Sequence, residues 1–408
     1  MALIWSKLTI AVAVFALTSN AAQAGPTPRP VPSLEKLKRA ADSGDANAMN
    51  RLGYRYLTGA GFTQDSRRAF ELFRKSAEAG NPFAMINVSR SYRAGEGVPK
   101  NEERGDEWIR KAVSALEASA NSGDQTATFA LGSIYQFGVG VPVDKIRSRQ
   151  WLQKGANAGD ANAMNALALS LLAEQKSDPH QAFEWALKGA NAENRAAMTL
   201  VSTLLANGRG TNRDDAQSLT WLKKAADAGD ATAMRYLAER YDSGTGVPAD
   251  KAEALKWLQK SANAGDAIAM SEAGKRFAQG IGTTKNDDIA AQYFVGAAYE
   301  GDAHGMFNLA VAMASGRGLE KDDELAAMWY QRAAGLGDAP AMNNLALLYM
   351  NGRGIERDAA AGIALFHKAA EAGNHDAMRN LAKAYREGVG VTADLAQADK
   401  WQTRADAP

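Results

Sequence analysis

Hydrophobic and polar positions along this chain recur with helical, not strand, spacing. Over Gly229 to Ala264 the pattern is clearest: Ala233, Met234, Leu237, Ala238 and Tyr241 fall at i, i+1, i+4, i+5 and i+8, one face of a helix, while Arg235, Glu239 and Arg240 take the other. A second run beginning near Asp250 sets Ala254, Trp257, Leu258 and Ala262 on one stripe, with Lys251, Glu253, Lys256 and Lys260 around it. Between the two, Gly244 and Gly246 stand just past the first apolar run, where a left-handed cap residue is needed and glycine carries no steric cost. The unit therefore reads helix, glycine turn, helix.

Shifted by 36 residues, the unit returns along the chain, opening at Gly44, Gly80, Gly123, Gly159, Gly229, Gly265, Gly301, Gly337 and Gly373, with a further copy at Glu193 that has lost its glycine. One such unit cannot bury its apolar face alone and must stack on its neighbours. The expected fold is all-α, a right-handed α-solenoid (superhelix) of about ten 36-residue helix-turn-helix repeats. Large residues keep fixed places: Trp108, Trp151, Trp185, Trp221, Trp257, Trp329 and Trp401 in the second helix, and methionines such as Met49, Met234 and Met342 in the first. Repeated once per unit, such ladders read as core filling. Gly53, Ser89, Gly132 and Ala168 lie between them and let helices approach closely.

The A-M-x-x-L-A-x-x-Y-x-x-G-x-G-V pattern followed by A-x-x-W-L-x-K-A-A resembles the Sel-one-like repeat (SLR), a helical hairpin related to the tetratricopeptide repeat, across nearly all of the chain after Ser33. The resemblance implies a scaffold or adaptor that holds other proteins, often in bacterial envelope, exopolysaccharide or host-contact systems. Some repeats of this type are linked to penicillin binding or β-lactam hydrolysis. The Cys-bearing ones are stapled by disulfides, and this chain has no Cys.

Taken in order, residues 1–24 read as a cleaved signal peptide, with Lys7 before a short apolar run and Ala22-Gln23-Ala24 as the cleavage site. Residues 25–32, GPTPRPVP, form a Pro-rich tether. The solenoid follows over 33–408, with a capping helix at 33–43 and the first repeats over 44–158. Seven extra residues near 108–122 lengthen one second helix by about two turns, so that it should protrude. Residues 159–228 hold irregular repeats, where LLAEQKSDPH replaces a glycine turn and predicts a stiffer turn and a bend, and 229–408 hold regular ones. After signal cleavage no segment is long and apolar enough to cross a membrane, and export to a bacterial periplasm, or secretion, is expected.

Removing Lys7 with the signal leaves 46 basic residues, one fewer than the 47 of the full chain, against 46 acidic ones. Such a balance argues against nucleic acid as a partner, which would call for a basic excess. His180, His304, His367 and His375 are scattered without a metal-binding spacing, and no catalytic, cofactor or metal site is expected. Ser33-Leu34-Glu35-Lys36 satisfies S-x-x-K, yet its usual companion motifs are missing and Ser33 is well placed as an N-cap.

Polar residues that recur beside the packing stripe of the first helix are the better candidates, on the face that lines the concave groove in tetratricopeptide-like stacks. Asn87, Asn308, Asn344 and Asn380 share one place, with Asn50, Asn165 and Asn343 one position earlier in their units. Their amides suit a bound peptide backbone, or alternatively bridge adjacent hairpins. One turn on stand Arg55, Arg90, Arg240, Arg276 and Lys383, able to pair with acidic side chains or a terminal carboxylate. Arg209, Arg317 and Arg353, inside glycine turns, offer a second line.

These features point to a non-enzymatic exported scaffold that binds envelope proteins or peptides through its groove, in regulation or assembly of polysaccharide secretion or signalling. The alternatives are a cell-wall-acting enzyme, such as a penicillin-binding protein or β-lactamase using Ser33 and Lys36, and a secreted host-interaction factor.

Overall fold

A computed structural model describes residues 34–58, 63–174 and 178–407. The expected signal peptide and tether, Ser33, residues 59–62, residues 175–177 and Pro408 lie outside them. Helix α1 (Leu34–Asp42) precedes ten helix pairs: α2 (Ala46–Thr58) with α3 (Ser66–Glu78), α4 (Pro82–Ala94) with α5 (Glu102–Asn121), α6 (Gln125–Phe137) with α7 (Lys145–Asn157), α8 (Ala161–Leu172) with α9 (Pro179–Asn191) and α10 (Arg195–Asn207) with α11 (Asp215–Asp227). The series continues as α12 (Ala231–Ser243) with α13 (Lys251–Asn263), α14 (Ala267–Gln279) with α15 (Asp287–Tyr299), α16 (Ala303–Ser315) with α17 (Asp323–Gly335), α18 (Ala339–Asn351) with α19 (Ala359–Glu371) and α20 (His375–Glu387) with α21 (Leu395–Asp406). The described residues contain no strand, and the fold is an all-α solenoid.

Local chemistry explains each boundary. Asp250 accepts from the N–H groups of Ala252 and Glu253, both at 2.9 Å, and so starts α13. Gly244 ends α12 in the left-handed region at φ 72. The stripe between buries Leu237 fully and leaves Leu258 2% exposed; burial of a leucine contributes about 1.5–3 kcal/mol.

The chain forms two compact units, Met1–Ser218 and Leu219–Pro408. In the first, consecutive helices from α1 through α10 pack on one another; in the second, the same holds from α12 through α21. First helices of successive pairs also meet directly, α6 with α8 and α8 with α10 in the first unit, α14 with α16 in the second. No two second helices approach comparably among the described residues. Within each unit the first helices therefore form the inner row.

Three departures from regularity have local causes. Helix α5 runs for 20 residues where its counterparts run for 12 or 13, but it does not protrude unsupported. Its apolar stripe simply continues, and Ile109, Ala112, Leu116 and Ala120 are all buried along it. Helix α8 ends on Ala173 in the right-handed region, with no left-handed cap. Glu193 keeps φ 61 where other copies have glycine, the only non-glycine with positive φ among the described residues.

In several turns the second glycine does more than cap. At Gly318 a Cβ would collide with the backbone carbonyl of Asp287, at the start of the second helix one repeat earlier. The turn is glycine there because two backbones touch.

Candidate functional site

The inner row of first helices carries the polar residues singled out above, and the structure separates them into distinct roles. Asn87 has no exposed surface; its Nδ2 donates to Asn50 Oδ1 at 2.8 Å, joining α4 to α2. Asn380 repeats the bond in the second unit, donating to Asn343 Oδ1 at 2.8 Å and joining α20 to α18. Each pairs with the Asn that stands one position earlier in the preceding repeat. Asn344, half-buried, donates to the Tyr330 hydroxyl at 3.2 Å and accepts from Asn343 at 3.3 Å. Asn308 is half-buried too, and its Nδ2 has no partner although buried. Asn308, Asn344 and Asn380 occupy equivalent places on α16, α18 and α20 in the second unit, and Asn87 belongs to the first.

The arginines are held as well. Arg276, 11% exposed, pairs with Asp242 of the preceding repeat, and Lys251 approaches the other oxygen of that carboxylate at 3.3 Å. Its Nε and Nη1 remain buried without partners. Arg240 is half-buried on α12. Arg235 bonds Asp266 at 3.0 Å, again one repeat on. In the glycine turns, Arg209 donates to the Leu172 carbonyl at 2.7 Å and Arg353 to Asp323 at 2.7 Å. Those two arginines reach back and tie repeats together.

Burial sets the electrostatics of the row. It pushes the Tyr330 phenol above its usual range, against the hydrogen bond from Asn344, which lowers it. It raises Tyr54 in the same way, against the charge of Arg90. On the outer side, the hydrogen bond from Arg353 holds Asp323 below the usual carboxylate range.

Two regular features are not visible as pairs in the sequence. A residue at the second position of a first helix bonds the N-cap residue of the next: Asn47 with Asn81 and Asn162 with Asn194, both at 2.8 Å, and His304 with Asp338 at 2.6 Å. A cation also lies over each repeat tryptophan from three residues further on, from Lys111 over Trp108 at 4.8 Å to Lys260 over Trp257 at 3.7 Å and Arg404 over Trp401 at 4.5 Å. The W-L-x-K spacing carried that signal.

Among solved structures, the chain resembles c5321, described as a protective antigen present in uropathogenic Escherichia coli strains and displaying an SLR fold, at 26% identity and a TM-score of 0.59, over 99% of this chain and 86% of that one. It also resembles a Sel1 repeat protein from Oxalobacter formigenes at 29% identity and a TM-score of 0.55, over 60% of this chain and 97% of that one. A comparison with curated proteins finds no match. A model of the Sel1 repeat matches ten consecutive segments, 46–81, 82–115, 126–160, 161–194, 195–230, 231–266, 267–302, 303–338, 339–374 and 375–405. With helix pairs and family matches in the same register through most of its length, the chain belongs to the Sel1 repeat family.

Proposed function

We propose that this protein is an exported, non-enzymatic scaffold that holds an envelope protein along its first helices, in regulation or assembly of polysaccharide secretion or signalling. Sel1-repeat proteins are helical interaction scaffolds. The observation that carries the reading further is the inner row: among the described residues first helices of successive pairs meet within a unit, where no two second helices approach comparably, and their faces mix half-buried amides such as Asn344 with exposed apolar residues such as Leu347, 38% exposed. The apolar run before Ala24 supports export. So does the similarity to c5321, because a protective antigen is met by the immune system.

Export is tested by fractionating the native host and sequencing the N-terminus, which should begin at Gly25 in the periplasmic fraction. The scaffold is tested by affinity capture in the same host. Val311→Arg with Leu347→Arg, on the inner row, should abolish recovery of the partner, whereas Lys256→Glu on a second helix should leave it. Equal recovery with both variants would refute the assignment.

A further inference from the structure

The inner rows of the two units differ in charge. Helices α2, α4, α6, α8 and α10, the first helices of the first unit, contain no Asp or Glu, but carry Arg51, Arg55, Arg90, Arg93 and Arg195. The corresponding five helices of the second unit carry both signs: seven Lys and Arg residues stand among Glu239, Asp242, Glu272, Asp376 and Glu387. An inner row of one sign focuses the field on whatever enters it.

Position along the row adds a second property. The arginines cluster on α2 and α4, whereas the next helices expose apolar side chains, Phe137 at 43% on α6 and Leu169 at 49% on α8. Arg93 is already taken by Asp106 and by the Gly140 carbonyl. Arg51 is exposed, and Arg90 keeps a buried Nε with no partner, beside Tyr54. The nearby acids Asp45, Asp124 and Asp160 are N-caps: each accepts from N–H groups at the N-terminal end of its own helix, where the helix dipole favours a negative charge. A buried guanidinium N–H without an acceptor is costly, and an incoming carboxylate satisfies it.

Resting on the scaffold reading above, we infer that the first unit takes an extended peptide segment of its partner, with acidic residues seated on Arg51 and Arg90 and apolar residues seated on Phe137 and Leu169. Neighbouring packed helices stand about 8–10 Å apart, which is about three residues of extended chain. From α2 to α8 there are three such steps, so the acidic and apolar ends of the segment lie within about nine residues of each other.

The test uses the purified chain and a dansylated decapeptide, Asp-Glu-Glu-Gly-Ser-Gly-Ser-Leu-Gly-Phe, together with its reverse and a version with Lys replacing the three acids. One acidic peptide should bind and raise the anisotropy, and the Lys peptide should not. Arg51→Glu with Arg90→Glu should weaken binding about tenfold or more, and Leu169→Asp about tenfold. Arg51→Glu alone, at an exposed position, keeps the test valid where the double variant loses helicity, and should weaken binding about threefold. Lys383→Glu, in the second unit, should change nothing. Binding of the Lys peptide, displacement by oligo-dT, an equal effect of Lys383→Glu, or no binding of either acidic order would each overturn the inference. If the peptides fail while capture still depends on Val311 and Leu347, the scaffold stands and this assignment falls.

Discussion

Asn87 donates its side-chain amide to Asn50 at 2.8 Å, and with Asn87 fully buried and Asn50 4% exposed, this bond between consecutive first helices is closed to solvent. It fixes the register of α4 against α2 through polar chemistry inside an otherwise apolar stack. Low local dielectric strengthens such a bond and makes an orphaned partner costly.

Asn87→Ala should therefore destabilise the first unit by about 1–3 kcal/mol, since it leaves the Asn50 carbonyl oxygen buried and unpaired. Asn50→Ala combined with it should cost less than the sum of the two single changes. Urea unfolding of the four proteins measures the coupling, and additive effects would show that the bond contributes nothing.

The glycine turns predict a graded response. Gly318→Ala should cost about 2–4 kcal/mol, combining strain at φ 68 with the collision against the Asp287 carbonyl. Gly246→Ala shares the positive φ, at 77, but its Cβ would have only Leu219 Cδ2 nearby at 3.7 Å, so it should cost about 1 kcal/mol. Thermal melts of both variants rank them, and equal losses would remove the close-approach explanation.

At Glu193 the direction reverses. This exposed side chain sits at φ 61, a conformation that costs a non-glycine residue about 1 kcal/mol. Glu193→Gly should stabilise the protein by up to about 0.5 kcal/mol, after allowing for the added freedom of the unfolded chain. A lower melting temperature for the variant would contradict this account.

Much of the fold was legible because the repeat imposes it. The stripe of Ala233, Leu237 and Ala238, the cap at Gly244 and the N-cap at Asp250 are all local signals, and each lies where the periodicity puts it. The bonds between repeats were legible only in part: the recurrence of Asn allowed either a bound peptide or a bridge between hairpins, and the choice between them at Asn50 and Asn87 needs α2 and α4 side by side. The same holds for Arg276, whose partner Asp242 is supplied by the preceding repeat. Seven extra residues in α5 suggested a protruding helix only because their continuing stripe of Leu116 and Ala120 was read for length and not for periodicity.

Alkaline titration should report on the contact of Tyr330, on the second helix α17, with Asn344 on the first helix α18. Burial raises the Tyr330 phenol against the Asn344 hydrogen bond, so the folded protein keeps its proton at pH values where the unfolded chain, near pH 10, has begun to lose it. Its contribution to stability is complete below the unfolded pKa and is lost as pH rises through the folded one. Tyr330→Phe should flatten the fall in stability above about pH 10, measured by urea midpoints.

The central claim, that a partner lies along the first helices, is tested most directly by site-specific photo-cross-linking in the native host. A photoreactive residue replaces Leu169 or Leu347 on the inner row, or Ile146, 75% exposed on α7, or Lys256 on α13. A defined partner should cross-link from Leu169 or from Leu347, with nothing above background from Ile146 and Lys256. The same partner cross-linked from Ile146 and Lys256 but not from the inner row would contradict it.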